Sequence, residues 1–229
     1  MHGWYEDSNN YYIVTDLVPG GELFFRIVEK KRFAENDARK VVRVLADTIA
    51  FIHERNYVHR DIKPENILLK NVLDETSIVL ADFGFVTRTK RRGLTEACGT
   101  PMYVAPEVVS GIPYSANVDV WSLGIVIFIM LGGYHPFAAK KKVEMFRLIR
   151  KGELVFDPLT WSRISDDAKD LVSKCLAVDP SVRLTISRGK FFSCCGGGVN
   201  VKSLTPRKTN KSSPTSVACL GCRCQVRKV

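Results

Sequence analysis

The sequence predicts an α+β fold in which two strands at most precede a mainly helical body. Three observations predict it. An aromatic and β-branched run, "YYIVTDLV", stands near the start. From Glu35 to His53 apolar residues recur at helical spacing, at Ala38, Val41, Val42, Leu45, Ile49 and Ile52. "DVWSLGIVIFIMLGG" is apolar nearly all round, as a buried helix is.

The elements follow in order. "YYIVTDLV" reads as a buried strand that "PGG" ends, and "ELFFRIVEK" starts a short helix. The run from Glu35 to His53 is a long amphipathic helix. "NILL" and "SIVLADF" read as short strands around a turn at Asp74. Residues 84–118 are irregular, with Gly and Pro punctuation, before the buried helix begins. "KVEMFRLIRKG" and "SDDAKDLVSKCL" are amphipathic helices, the second capped by Ser165 or Asp166 with acids in its first turn.

Composition narrows the function. With 229 residues, the chain can bury a core of one or two domains. The longest apolar run, Leu123 to Leu131, is broken by Gly124 and is too short to span a bilayer. The opening "MHGWYEDSNN" does not read as a secretory leader. A net charge of +10 suggests nucleic acid, but nine of the 34 Lys and Arg lie from Ser187 onward, where no acid occurs. Residues 1–186 keep 25 basic against 24 acidic residues, so no nucleic-acid partner is expected. Cys98 and Cys175 lie in this body and five cysteines in the tail, and reduced thiols in the cytoplasm or nucleus are expected.

The chemistry concentrates in "YVHRDIKPENILL", residues 57–69. Phosphoryl transfer needs an acceptor for a hydroxyl proton, positive charge beside the γ-phosphate, and oxygen ligands for Mg²⁺. Asp61 suits the first, Lys63 the second and the Asn66 amide oxygen the third. Asp82 in "ADFGF" offers a carboxylate to the metal, and Gly84 marks a sharp backbone turn. Alone, each residue reads as a cap or a solvated loop position. Together, "HRDIKPEN", "DFG" starting 21 residues after Asp61, and "APE" at 105–107 form an ordered set that chance does not supply.

On these motifs residues 1–186 resemble a eukaryotic protein kinase domain of the serine/threonine branch, with a mainly helical large lobe and a remnant of a small β lobe. "GGELFFRI" and "ACGTPMYVAPEV" look most like the calcium/calmodulin-dependent group. The resemblance implies ATP and Mg²⁺ as cofactors and transfer of the γ-phosphate to Ser or Thr of protein substrates. It implies that Thr100 bonds Asp61 and Lys63, and that Asp119 ties down the catalytic-loop backbone. It makes Arg183 the buried partner of Glu107, where a reading without it gives two ordinary surface charges. It places Thr15 as gatekeeper, and Asp16 and Val18 as hinge residues whose backbone meets adenine. Glu22 would touch the ribose or a substrate arginine, and Glu65 a basic substrate residue, so basophilic substrates are implied. Phe85 is compatible with serine preference. Arg60 normally pairs with a phosphorylated residue, and Glu96 occupies that position here. A fixed carboxylate there would order the segment without phosphorylation, against the alternative that Thr95 or Thr89 is the site.

The family's Gly-rich loop, strand lysine and helix glutamate have no counterpart in these 229 residues. "MHGWYED" reads as the end of the small lobe's fourth strand, and "ISRGKFFSCCGGG" stands where a further helix is expected. Both ends therefore read as cut, as in a partial gene model or a short isoform. Each lost electrostatic donor costs ~10²-fold or more, so the polypeptide alone is expected to be weakly active or inactive. The alternative is a non-catalytic, pseudokinase-like binding module. Residues 187–229 read as a disordered basic tail. Its Cys219, Cys222 and Cys224 make a poor zinc set, and no basic amphipathic helix for calmodulin follows the body.

Overall fold

The computed structural model describes residues 2–187 and Phe191. The expectations for the tail, including its cysteines, lie outside the described residues. Two compact units result, a hairpin ending at Leu17 and a body beginning at Val18.

In the hairpin, β1 (Gly3–Glu6) pairs antiparallel with β2 (Tyr11–Val14), Gly3 opposite Val14 and Glu6 opposite Tyr11. Asp7 makes the turn, its Oδ1 accepting the N–H groups of Asn9 and Asn10, each at 2.7 Å. The run predicted as a buried strand is exposed at all four residues of β2. Aromatic and β-branched residues signal a fit to a pleated surface. They do not say that anything covers that surface.

The body begins with α1 (Leu23–Lys30), which buries Leu23 and Ile27. Next, α2 (Glu35–His53) buries all six apolar positions that its periodicity marks. Two-residue strands β3 (Tyr57–Val58) and β6 (Thr87–Arg88) pair antiparallel around the catalytic stretch. Between them a 3₁₀ turn (Pro64–Asn66) leads into β4 (Ile67–Leu69), which pairs with β5 (Ile78–Leu80). The β4–β5 turn is closed by Asp74, whose Oδ1 accepts the Thr76 N–H at 2.9 Å.

The irregular stretch is less irregular than its Gly and Pro content suggests. It contains β6 and a one-turn helix, α3 (Pro106–Val109), and Leu94 bridges to Tyr114. Such short elements have no period to detect: β6 and the Leu94–Tyr114 bridge rest on distant partners, and α3 on a single local turn that begins at Pro106.

Then α4 (Asn117–Gly132) runs through the core, with 14 of its 16 residues buried. It ends at Gly133 in a left-handed conformation (φ 77°), where a Cβ would lie 2.3 Å from the Lys31 carbonyl oxygen. Of the remaining helices, α5 (Lys142–Lys151) packs on α3, while α6 (Pro158–Trp161) and α7 (Asp166–Cys175) pack on α4. Of the two cap candidates for α7, Ser165 is the cap, its Oγ accepting the Ala168 N–H at 3.2 Å. Gly124 lets α4 and α7 meet closely: a Cβ there would stand 2.7 Å from the Cys175 Cβ. Trp121, Phe128, Phe137 and Trp161, each at most 1% exposed, fill the space around α4. Burying one such side chain contributes about 1.5–3 kcal/mol, so this rigid helix is a sound anchor for loops that carry polar groups.

Candidate active site

The catalytic stretch is anchored from below. Asp119, on the first turn of α4, is fully buried. Its Oδ2 accepts the His59 N–H at 2.9 Å and its Oδ1 the Arg60 N–H at 2.8 Å. His53, at the end of α2, adds an Nε2 contact to Oδ2 at 2.8 Å. These bonds hold Arg60 at φ 71°, a left-handed conformation that costs a non-glycine residue of order 1 kcal/mol or more. The segment after it comes just as close: at Gly99 (φ 93°) a Cβ would sit 2.4 Å from the Arg60 carbonyl oxygen.

Asp61, 2% exposed, is the centre. Its Oδ1 accepts the Thr100 N–H at 2.9 Å and the Thr100 hydroxyl at 2.7 Å. Its Oδ2 accepts Lys63 Nζ at 2.7 Å and Asn66 Nδ2 at 3.0 Å. Lys63 also reaches Thr100 Oγ1, at 2.7 Å. Burial pushes the Asp61 carboxyl up, but the bonds from Lys63 and Thr100 outweigh it and hold it below the ordinary carboxylate range. Asp61 is therefore an ionised acceptor at neutral pH. Asn66 spends its amide nitrogen on Asp61, by the bond above and by another to the backbone oxygen at 2.8 Å. That turns its amide oxygen to other use.

Asp82 reaches the site through the β4–β5 pair. The Ala81 N–H donates to the Asn66 carbonyl at 2.8 Å, so Asp82 is the next residue beyond that link. Gly84 sits in the expected turn, which the Val86 N–H closes on the Phe83 carbonyl at 3.1 Å, and Asp82 just before it takes a left-handed φ of 57°. Asp82 tolerates this because its own Oδ1 takes the Gly84 N–H at 3.1 Å, the local bond that admits Asp to left-handed positions. His59 supports the same corner. Burial lowers its pKa, and the neutral ring suits its partners: Nδ1 accepts from the Asp61 N–H at 3.3 Å, and Nε2 lies 3.2 Å from the Ala81 carbonyl.

The Arg60 side chain bonds the segment 85–96. Nε donates to the Phe85 carbonyl at 2.7 Å, and Nη1 to Glu96 Oε2 at 2.9 Å and Tyr114 Oη at 3.1 Å. Tyr114 in turn donates to the Glu96 carbonyl at 2.6 Å. Burial works against the Arg60 charge, and the bonds from Tyr114 and Glu96 more than offset it. Farther out, Arg183 and Glu107 form a bidentate pair at 2.7 and 2.8 Å, with side chains 0% and 5% exposed.

The residues expected to meet nucleotide or substrate are distributed. Glu22 bridges to Leu68, two residues after Asn66, so it lies beside the catalytic loop. Glu65 Oε2 is buried with no hydrogen-bond partner among the described residues. Val18 opens the body, whereas Thr15 and Asp16 belong to the hairpin, where Asp16 Oδ1 meets His2 Nε2 at 2.7 Å. Sequence reading missed His53, His59 and Tyr114 as supports. His53 carries a weak signal, a polar ring at the end of an apolar helix face; Tyr114 carries none, being one tyrosine in a loop.

A family profile for the protein kinase domain matches residues 1–190. The chain is a member of the protein kinase family. A calcium/calmodulin-dependent protein kinase type 1 of Caenorhabditis briggsae is 44% identical over 182 residues, which is 79% of this chain and 51% of that protein. The Caenorhabditis elegans protein of the same name is 43% identical over 79% of this chain and 52% of its own. The type I kinase of Schizosaccharomyces pombe is 42% identical over 80% of this chain and 55% of its own. The chain thus spans about half the length of the curated relatives it matches. Within this kinase domain, the oxygen-rich set of Asn66 and Asp82 fits a hard cation such as Mg²⁺, which takes carboxylate and amide oxygens.

Proposed function

We propose that this chain carries the catalytic half of an ATP-dependent serine/threonine protein kinase acting on basic substrates. One observation carries the reading. Asp61 is buried and ionised, with both carboxylate oxygens held by Thr100, Lys63 and Asn66. In the proposed reaction Asp61 orients a substrate hydroxyl and accepts its proton. Lys63 steadies the transferring phosphate. Asn66 and Asp82 would hold Mg²⁺, which when bound neutralises charge on the phosphates. By the kinase resemblance alone, Asp16 and Val18 are proposed as hinge residues and Thr15 as gatekeeper. Glu22 and the unpartnered Glu65 support a basic substrate: a buried carboxylate oxygen without a donor is costly, and an arriving arginine relieves that cost.

The Arg60–Glu96 pair supports a segment 85–96 that orders without phosphorylation. Glu96→Ala tests this by hydrogen exchange: unchanged protection of residues 86–96 sinks the idea.

A second reading, a non-catalytic binding module, is favoured by the lack of a Gly-x-Gly-x-x-Gly loop within the 229 residues. Much of phosphoryl-transfer catalysis is positioning, so the 229-residue polypeptide itself is proposed to turn over weakly. Incubation with ATP, Mg²⁺ and an arginine-containing serine peptide, read by mass spectrometry, decides between them. Slow phosphopeptide formation that Asp61→Asn abolishes is expected. Peptide binding with no Asp61-dependent product selects the binding module, and ordinary kinase turnover refutes the weak-activity claim.

A further inference from the structure

Beside the catalytic loop lies a cavity of about 500 Å³ whose lining includes Phe24, Ile27, Pro64, Met102, Tyr103 and His135. Most of that wall is apolar. His135 is one of its few polar members, with Lys31 and the two tyrosines, and both nitrogens of its ring are committed.

His135 follows the left-handed Gly133 that ends α4. Its Nδ1 accepts the Phe137 N–H at 3.1 Å. Its Nε2 lies 2.9 Å from the Met102 carbonyl oxygen. A carbonyl only accepts and a backbone N–H only donates, so one tautomer alone satisfies both partners: neutral, with the proton on Nε2. The base beneath is rigid. Phe137 is 1% exposed and stacks on Trp121 with ring centroids 5.6 Å apart. The Tyr103 ring meets the imidazole edge-on at 5.8 Å.

The far end of this link is the segment 100–103, which has three tethers. Thr100 is bound to Asp61 and Lys63. The Tyr103 carbonyl accepts the Ser122 hydroxyl of α4 at 2.8 Å. The Met102 carbonyl is held by His135, and this tether faces the cavity. The turn itself is closed by the Tyr103 N–H on the Thr100 carbonyl at 2.9 Å, so loss of the His135 tether would loosen the outward Met102 carbonyl rather than the whole segment.

We infer that His135 is a positioning residue for the substrate chain, pinning the Met102 carbonyl and with it the cavity wall beside the catalytic loop. The inference rests on the proposed reading that a peptide lies there. Burial keeps the ring neutral, lowering its pKa to about 4 against the opposing pull of the Met102 carbonyl bond. The tether therefore holds across the neutral range.

The test uses the full chain and three measurements. ¹⁵N NMR of the imidazole reports the tautomer. Anisotropy with a fluorescein-labelled arginine-containing serine peptide reports binding. Hydrogen exchange of the 102–104 amides reports the segment. The variants are His135→Phe, which removes both bonds, and His135→Gln, which keeps a side-chain N–H for Met102; near-UV circular dichroism confirms folding. Expected is an Nε2–H tautomer that does not titrate between pH 5.5 and 8, as its pKa of about 4 requires. His135→Phe should bind the peptide about 3- to 10-fold more weakly, the range for one hydrogen bond, with faster exchange at 102–104. His135→Gln should recover most of the affinity. An Nδ1–H tautomer, or unchanged peptide affinity in His135→Phe beside a wild type that binds, overturns the inference alone. A wild type that does not bind the peptide overturns it together with the substrate reading on which it rests.

Discussion

Removing one partner of the Arg183–Glu107 pair should be among the most destabilising single changes in this chain. Arg183 makes five hydrogen bonds: two to Glu107 and one each to the carbonyls of Ala177, Asn117 and Val178. Its side chain is fully buried and lies 5.3 Å from the Trp121 ring. Arg183→Met keeps the apolar stem but strands Glu107, whose side chain is 5% exposed, and three carbonyls. Breaking a buried pair from one side costs about 3–5 kcal/mol, a large share of the ~5–15 kcal/mol that folds a typical domain. At ~2–4 °C per kcal/mol for a body of this size, the melting temperature should fall by about 6–20 °C. Glu107→Leu should cost a similar amount. The double variant should cost less than the sum by at least ~1.5 kcal/mol, because it leaves no buried charge alone. Urea denaturation of the four proteins measures the cycle. Single variants costing under ~1 kcal/mol, or a double variant equal to the sum of the singles, would refute the reasoning.

Asp119→Asn should destabilise by about 2–4 kcal/mol, since its amide would turn an N–H₂ toward the His59 or Arg60 N–H; urea midpoints and hydrogen exchange of 57–61 read it. Stability should fall as pH drops from about 6.5 towards 4. His135 is neutral in the folded chain down to about 4 but protonates near ~6.5 when unfolded, so its contribution is complete above the unfolded value and is lost below it. This adds up to about 3 kcal/mol, and the difference between wild type and His135→Phe across pH isolates it from the parallel effect of His59. Gly99→Ala should free the segment around Thr100, because the new Cβ meets the Arg60 carbonyl at 2.4 Å; trypsin cleavage at the exposed Lys90–Arg92 triplet should quicken. A cleavage rate equal to wild type would contradict that packing.

Much of the body was legible before any coordinates. The helix from Glu35 to His53 announces itself because one apolar face recurs over five turns. The all-round apolar run announces α4 because only a helix enclosed on every side tolerates it. The strands at "NILL" and "SIVL" were readable from composition, and the four residues Asp61, Lys63, Asn66 and Asp82 from their chemistry and spacing. The structure brings Asp61, Lys63, Asn66 and Thr100 into direct contact. Other features were hidden. A two-residue strand such as Tyr57–Val58 has no pattern of its own. The exposure of β2 depends on what lies against it, which a single strand's residues do not encode. The left-handed backbone at Asp82, just ahead of the turn at Gly84, was hidden too, because a local side-chain bond rather than a glycine admits it.

The sequence by itself therefore determined the family, the helical framework and the chemical inventory of the site, because periodicity and motif spacing are local and survive without coordinates. Only the tertiary structure decided how that inventory is held. It shows Asp119 under the loop, Tyr114 joining Arg60 to Glu96, and His135 locked to Met102 from 33 residues away. Each is a hydrogen bond between residues far apart in the chain, whose direction and burial depend on packing that no short stretch specifies.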